Sequence, residues 1–148
     1  MSTRCDILVG DASGEHVKIS LLSRNHPECD DYWDGNWIAS EVELHAGAYR
    51  ASFRSNFRAE EFAFLHQSVC QFSETLCGSA RFDTMEDQLA FELIGDGRGH
   101  IRVEGTSLDV VGVGNRLSFH FEIDQTYLVG IVRSLEKSIS TYPVVGRP

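Results

Sequence analysis

The chain has 148 residues, enough for one domain that buries roughly two-thirds of its unfolded surface around a single core. With 13 Lys and Arg against 22 Asp and Glu, its formal charge of -9 repels nucleic-acid phosphates and anionic lipid, and no apolar run is long enough to cross a bilayer. Cys5, Cys29, Cys70 and Cys77 form no CxxC pair and no zinc spacing, and no signal peptide is visible, so a reducing cytoplasm is the expected setting.

Two short strands are expected first, Asp6 to Val9 and His16 to Leu22, around the turn Asp11-Ala12-Ser13-Gly14; in the second, Val17, Ile19 and Leu21 alternate with Lys18 and Ser20. Arg24 to Asp31 carries Pro27 and reads as a loop. It delivers the chain to Asp30-Asp31-Tyr32-Trp33-Asp34-Gly35-Asn36-Trp37, which holds both tryptophans, three carboxylates and a glycine, and in which Asp34-Gly35-Asn36 reads as a tight turn. The clearest hairpin follows. Val42, Leu44 and Ala46 alternate with Glu41, Glu43 and His45, and beyond Gly47 the pattern resumes with Tyr49, Ala51 and Phe53 against Arg50, Ser52 and Arg54.

Asn56 is expected to cap a helix from about Arg58 to Cys77, with Phe62, Leu65, Val69, Phe72 and Leu76 as its apolar stripe and Gly78 as its stop. Strands are then expected near Arg81–Phe82, from Gln88 to Ile94, from Ile101 through Val103, and over Leu117 to Ile123. The turn Gly95-Asp96-Gly97-Arg98-Gly99 and a loop from Gly105 to Gly114 join them. Asp124 or Thr126 caps a last helix with the stripe Leu128, Ile131, Val132, Leu135 and Ile139; residues 140–148 have no periodicity and are expected to form a flexible tail on a single domain, 1–148. A meander followed by a helix is thus used twice. The expected fold is α+β, a curved antiparallel sheet or open sandwich of about six to eight strands with two amphipathic helices on its apolar face.

Negative charge is concentrated. His26 to Ala46 holds six acids and Asp83 to Asp96 five, neither with a Lys or Arg. This is either a solvating surface or one that attracts a basic protein. Asp30, Asp31 and Asp34 lack a calcium-loop spacing, and their aspartates serve as turn caps as readily as ligands. Trp33 and Trp37 are either core anchors or a binding hot spot, alternatives that differ in exposure. The six histidines lie on separate elements, no nucleophile elbow is present, and the glycine turn opens no helix that could bind phosphate. No catalytic residue, metal or cofactor is assigned.

The segments Asp31 to Trp37, Arg58-Ala59-Glu60-Glu61-Phe62, Gly95 to Ile101 and Asp124-Gln125-Thr126-Tyr127-Leu128 occur in an order that resembles the bacterial immunity proteins of the WapI type. Those proteins neutralise the toxic C-terminal domains of secreted polymorphic toxins. The resemblance implies a non-enzymatic inhibitor whose partner is a cognate toxin domain such as a basic nuclease. Asp30, Asp31, Trp33, Asp34 and Trp37 would then be the anchor, and Asp87 and Asp96 outer contributors; equally, the motif is structural and other surfaces meet the partner. A small-molecule-binding domain or weak hydrolase, and a homo-oligomer joined at a strand edge, are the other classes left open.

Overall fold

A computed structural model describes residues 4–148; Met1, Ser2 and Thr3 of the expected single domain lie outside the described residues. Eight strands form two separate four-stranded antiparallel sheets, each in sequential order. The first holds β1 (Cys5–Gly10), β2 (His16–Arg24), β3 (Trp37–Ala46) and β4 (Tyr49–Arg58); the second holds β5 (Cys77–Phe82), β6 (Leu89–Asp96), β7 (His100–Leu108) and β8 (Arg116–Asp124). A single helical turn, α1 (Tyr32–Gly35), interrupts the β2–β3 connection, α2 (Ala59–Thr75) leads from β4 to β5, and a 3-10 turn at Gln125–Tyr127 leads from β8 into α3 (Leu128–Thr141). The expected α+β meander-and-helix unit is therefore built twice.

Alternation explains the sheets. Val42 and Leu44 point into the core while Glu43 faces solvent, and Phe119, Phe121 and Ile123 point inward between the exposed Ser118, His120 and Glu122. The inner faces of both sheets and the apolar stripes of α2 (Phe62, Leu65, Val69, Phe72) and α3 (Leu128, Ile131, Leu135) form one core. Four phenylalanines bind the layers together: Phe57 of β4, Phe62 of α2, Phe82 of β5 and Phe91 of β6 have successive ring centroids 5.7, 5.6 and 5.2 Å apart. Burying each ring contributes about 1.5–3 kcal/mol.

Several boundaries differ from expectation for identifiable reasons. Asn56 does not cap α2, because β4 pairs with β3 through Arg58 and the Asn56 side chain accepts a 3.0 Å bond from Asn25 Nδ2. Helix α2 ends at Leu76, which takes the left-handed conformation (φ 58) in place of Gly78; its carbonyl receives Gly97 N–H at 2.8 Å and so anchors the β6–β7 turn. β7 continues past Gly105 to Leu108 because the glycine lets strands and ring close up, a Cβ there falling 2.3 Å from Ala90 O and 2.7 Å from the Phe119 ring.

Candidate functional site

The segment Asp31 to Trp37 is folded around one cation. Asp31 accepts Asp34 N–H at 3.0 Å and starts α1, so Asp34-Gly35-Asn36 is the end of a helical turn, with Asn36 at φ -94, and not a tight turn built on positive φ. The carbonyls of Tyr32 and Trp33 then point at Arg58, which donates to them at 2.6 and 2.9 Å, while its Nε meets Glu60 Oε2 at 2.5 Å. The guanidinium carbon lies 5.1 Å from the Tyr32 ring centroid, 5.8 Å from Trp33 and 4.9 Å from Trp37. Arg58 is 1% exposed, so this desolvated charge is held by a carboxylate, two carbonyls and three aromatic faces. Trp37 is half-buried within the enclosure, whereas Trp33 forms one wall and still leaves 58% of itself in solvent. Of the two alternatives weighed for the tryptophans, which differ in exposure, Trp33 has the open side chain and Trp37 the partly buried one.

A second layer fixes the enclosure. Asn36, fully buried, donates to Tyr32 O and Val145 O at 2.9 and 3.0 Å and accepts Val145 N–H at 2.9 Å, while Arg24 donates to Gly35 O and Pro143 O. Residues 142–146, within the expected tail, thereby lie against α1. Glu61 accepts Arg58 N–H at 2.8 Å and Met85 N–H at 2.6 Å; burial pushes its carboxyl up to about 7, the two backbone donors working in the opposite direction. It couples the tryptophan loop to the β5–β6 loop. Gln88, also buried, bonds the carbonyls of Arg54, Leu108 and Asp109 at 3.2 Å each, and adds the β7–β8 loop to the group.

Three connections, 25–36, 83–88 and 109–115, therefore meet at one end of the molecule, with four, three and one acidic residues respectively and no Lys or Arg. Of the seven residues singled out from sequence, Asp30, Asp31, Trp33, Asp34, Trp37 and Asp87 lie here, Asp87 paired with Arg116 at 3.0 Å. Asp96 does not. It lies in the β6–β7 turn at the other end of its sheet, accepting Arg98 and His100 N–H, bonds that hold its carboxyl below the usual range.

Cys29, Asp31 and Asp34 place possible ligand atoms within 4.8 Å of one another. Their chemistry does not favour a cation: burial and the neighbouring carboxylates raise the Cys29 thiol, and Asp31 is already engaged as a cap. Sequence reasoning also missed a pair of histidines. His16 and His45 are cross-strand partners in β2 and β3, with rings 6.2 Å apart, and buried His16 bonds Glu43 Oε2 at 2.8 Å and the carbonyls of Asp11 and Gly14. They line a cleft of about 440 Å³; a second, of about 450 Å³, lies on the outer face of the β5–β8 sheet. Glu61 lines neither, so the carboxyl raised to about 7 is not positioned in either cleft.

Residues 7–143 match the Immunity protein WapI-like family. The chain belongs to that family. No curated protein matches this WapI-like chain. Among solved structures it is similar to one described as crystal structures of Trypanosoma brucei MRP1/MRP2, at 8% identity and a TM-score of 0.46 over 94% of this chain and 84% of that one. The family membership places the chain among immunity proteins, whose partners are toxins. Among the described residues no helix is long and apolar enough to cross a membrane.

Proposed function

We propose that this WapI-like protein is a cytoplasmic, non-enzymatic inhibitor that binds the C-terminal toxic domain of a secreted bacterial toxin directly, using the acidic end that carries the tryptophan loop. The observation that supports this reading most is the coincidence of family and geometry: in a WapI-like chain, Trp33 is held rigidly yet exposed, among carboxylates without a basic residue in the same loop. A rigid exposed indole beside desolvatable acids is what an interface anchor requires, since little side-chain freedom is left to lose on binding. Long-range attraction from Asp30, Asp31 and Asp34 speeds encounter with a basic partner such as a nuclease whose own surface is built to meet phosphate.

The test is a pull-down of the toxin C-terminal domain encoded beside this gene, with wild type and an Asp30→Asn, Asp34→Asn variant that leaves Arg58 and the Asp31 cap untouched. Binding by wild type that weakens with salt, and weakens further in the variant, is the expected result. Unchanged binding by the variant leaves inhibition in place but removes this loop as anchor. No capture by wild type, with both proteins folded, overturns the reading for that toxin.

A further inference from the structure

The β7–β8 loop does something the fold does not need. Val110, Val111 and Val113 project from it largely into water, Val113 with 86% of its surface exposed, and Met85 of the β5–β6 loop does the same. Nine large apolar residues are exposed among those described; Tyr49, Phe64 and Val129 lie on strand or helix surfaces, whereas the other six, including Trp33 and Val144, belong to the connections and tail at this one end. Clustered apolar residues rimmed by charge are an interaction signature, because water gains from their removal and nothing among the described residues covers these.

The loop is also preorganised. Asp109 Oδ1 accepts Asn115 N–H at 2.7 Å, Gly114 N–H bonds Val110 O at 2.9 Å, and Gly114 has room for no side chain, a Cβ falling 2.1 Å from Asp109 Oδ1. Gln88 clamps its base through Leu108 O and Asp109 O. The valines are thus displayed on a fixed frame, and immobilising them in a complex costs little further entropy.

We infer that Met85, Val110, Val111 and Val113 form the apolar centre of the toxin-binding surface, flanked on one side by the tryptophan loop and rimmed by Asp83, Glu86 and Asp87, of which Asp83 meets Arg81 at 3.5 Å and Asp87 meets Arg116 at 3.0 Å, so that Glu86 and the aspartates of the tryptophan loop carry the unopposed charge. This rests on the reading above and specifies its interface. Charge selects the occupant. A two-fold dimer through this end sets the same patch against itself and brings acid against acid, whereas a basic toxin surface with an apolar strip satisfies both the valines and the carboxylates.

The experiment measures binding kinetics of the adjacent-gene toxin domain on immobilised immunity protein, comparing wild type with Val111→Ser, Val113→Ser and separately with Asp83→Asn, Glu86→Gln. Circular dichroism melts verify folding, since none of these side chains is in the core. The valine variant is expected to dissociate faster and bind at least about tenfold more weakly, and the charge variant to associate more slowly with a shallower salt dependence. Wild-type binding with an unaltered dissociation rate in the valine variant overturns the inference while sparing the inhibitor role. A toxin that does not bind wild type overturns both. Sedimentation of the protein alone supplies the remaining outcome: a wild-type dimer that the valine variant dissolves assigns the patch to a second copy and overturns the inference.

Discussion

The two halves place the same backbone bond at their strand-to-helix junctions and surround it with opposite chemistry. In the first half Ala59 N–H, just beyond β4, bonds Asn36 O, the residue before β3; in the second, Gln125 N–H, just beyond β8, bonds Gly99 O, the residue before β7, both at 2.9 Å. Over the second junction lies only the tight turn Gly97-Arg98-Gly99, and the helix starts with an exposed local cap, Asp124 accepting Thr126 N–H at 2.8 Å. Over the first lies the whole segment 25–36, and the helix starts from a buried arginine, a buried carboxyl and three aromatic rings. A helix start needs no more than Asp124 provides. The extra apparatus at Arg58 is explained by what it holds: an acidic, tryptophan-bearing loop in a fixed shape.

The comparison breaks most readily at Arg58. Arg58→Met takes the cation from Glu60, the arginine donor from the Trp33 carbonyl and one of two donors from the Tyr32 carbonyl, which keeps Asn36, and unfolding in urea should show a loss of about 3–5 kcal/mol, the penalty for breaking a buried pair. Arg58→Lys should recover little of it, because an ammonium cannot reach two carbonyls and a carboxylate in one plane.

Glu61 sharpens the contrast through pH. Its folded carboxyl titrates at about 7 against an ordinary 4.5, so the folded state holds its proton more tightly than the unfolded. The resulting stability is fully present below pH 4.5, falls as pH rises from there to about 7, and is gone above, a change of about 3 kcal/mol from the raised carboxyl alone. Stability curves for wild type and Glu61→Gln should diverge across that window, the variant being flatter.

Releasing the tail has a smaller effect. Asn36→Ala removes the bonds to Tyr32 and Val145 and should cost about 1–3 kcal/mol, with faster proteolysis after Tyr142. Gly146→Ala tests the same clamp from the other side, since Gly146 has φ +67 and a Cβ there falls 2.5 Å from Tyr32 N. Smallest of all should be Asp124→Ala, whose thermal midpoint should move only a fraction as far as that of Arg58→Met, because the lost cap is exposed and water replaces it.

Period alone identified which faces of β3, β8, α2 and α3 are buried, and these define most of the fold; in β4 it failed at Tyr49, which is exposed where the strand leaves the hairpin turn, Ala51 and Phe53 being only partly buried and the deep burial falling at Ser55 and Phe57. It could not show that Arg58, at the end of an alternating strand, turns inward, because a strand pattern carries no record of the carbonyls and rings that a distant loop brings to it. Leu76 in the left-handed region was hidden for a similar reason: its carbonyl accepts from Gly97, a partner 21 residues on that no local pattern reveals. The acidic and aromatic density of residues 30–37 was legible. That its aspartates join the loops at 83–88 and 109–115, while Asp96 stays apart, depends on Glu61 and Gln88, two side chains that no spacing rule connects to those loops.

The bond between Asn36 and Val145 spans 109 positions of sequence. During synthesis, then, the enclosure of Arg58 has all its parts by residue 60, but the clamp that fastens the tryptophan loop waits until residue 145 has emerged. Contacts between residues so far apart form late for want of both partners and because closing a long loop is entropically slow. A nascent molecule halted, or a mature one clipped, before residue 145 thus carries the loop without its fastening, which ties a well-shaped acidic end to the presence of Val145.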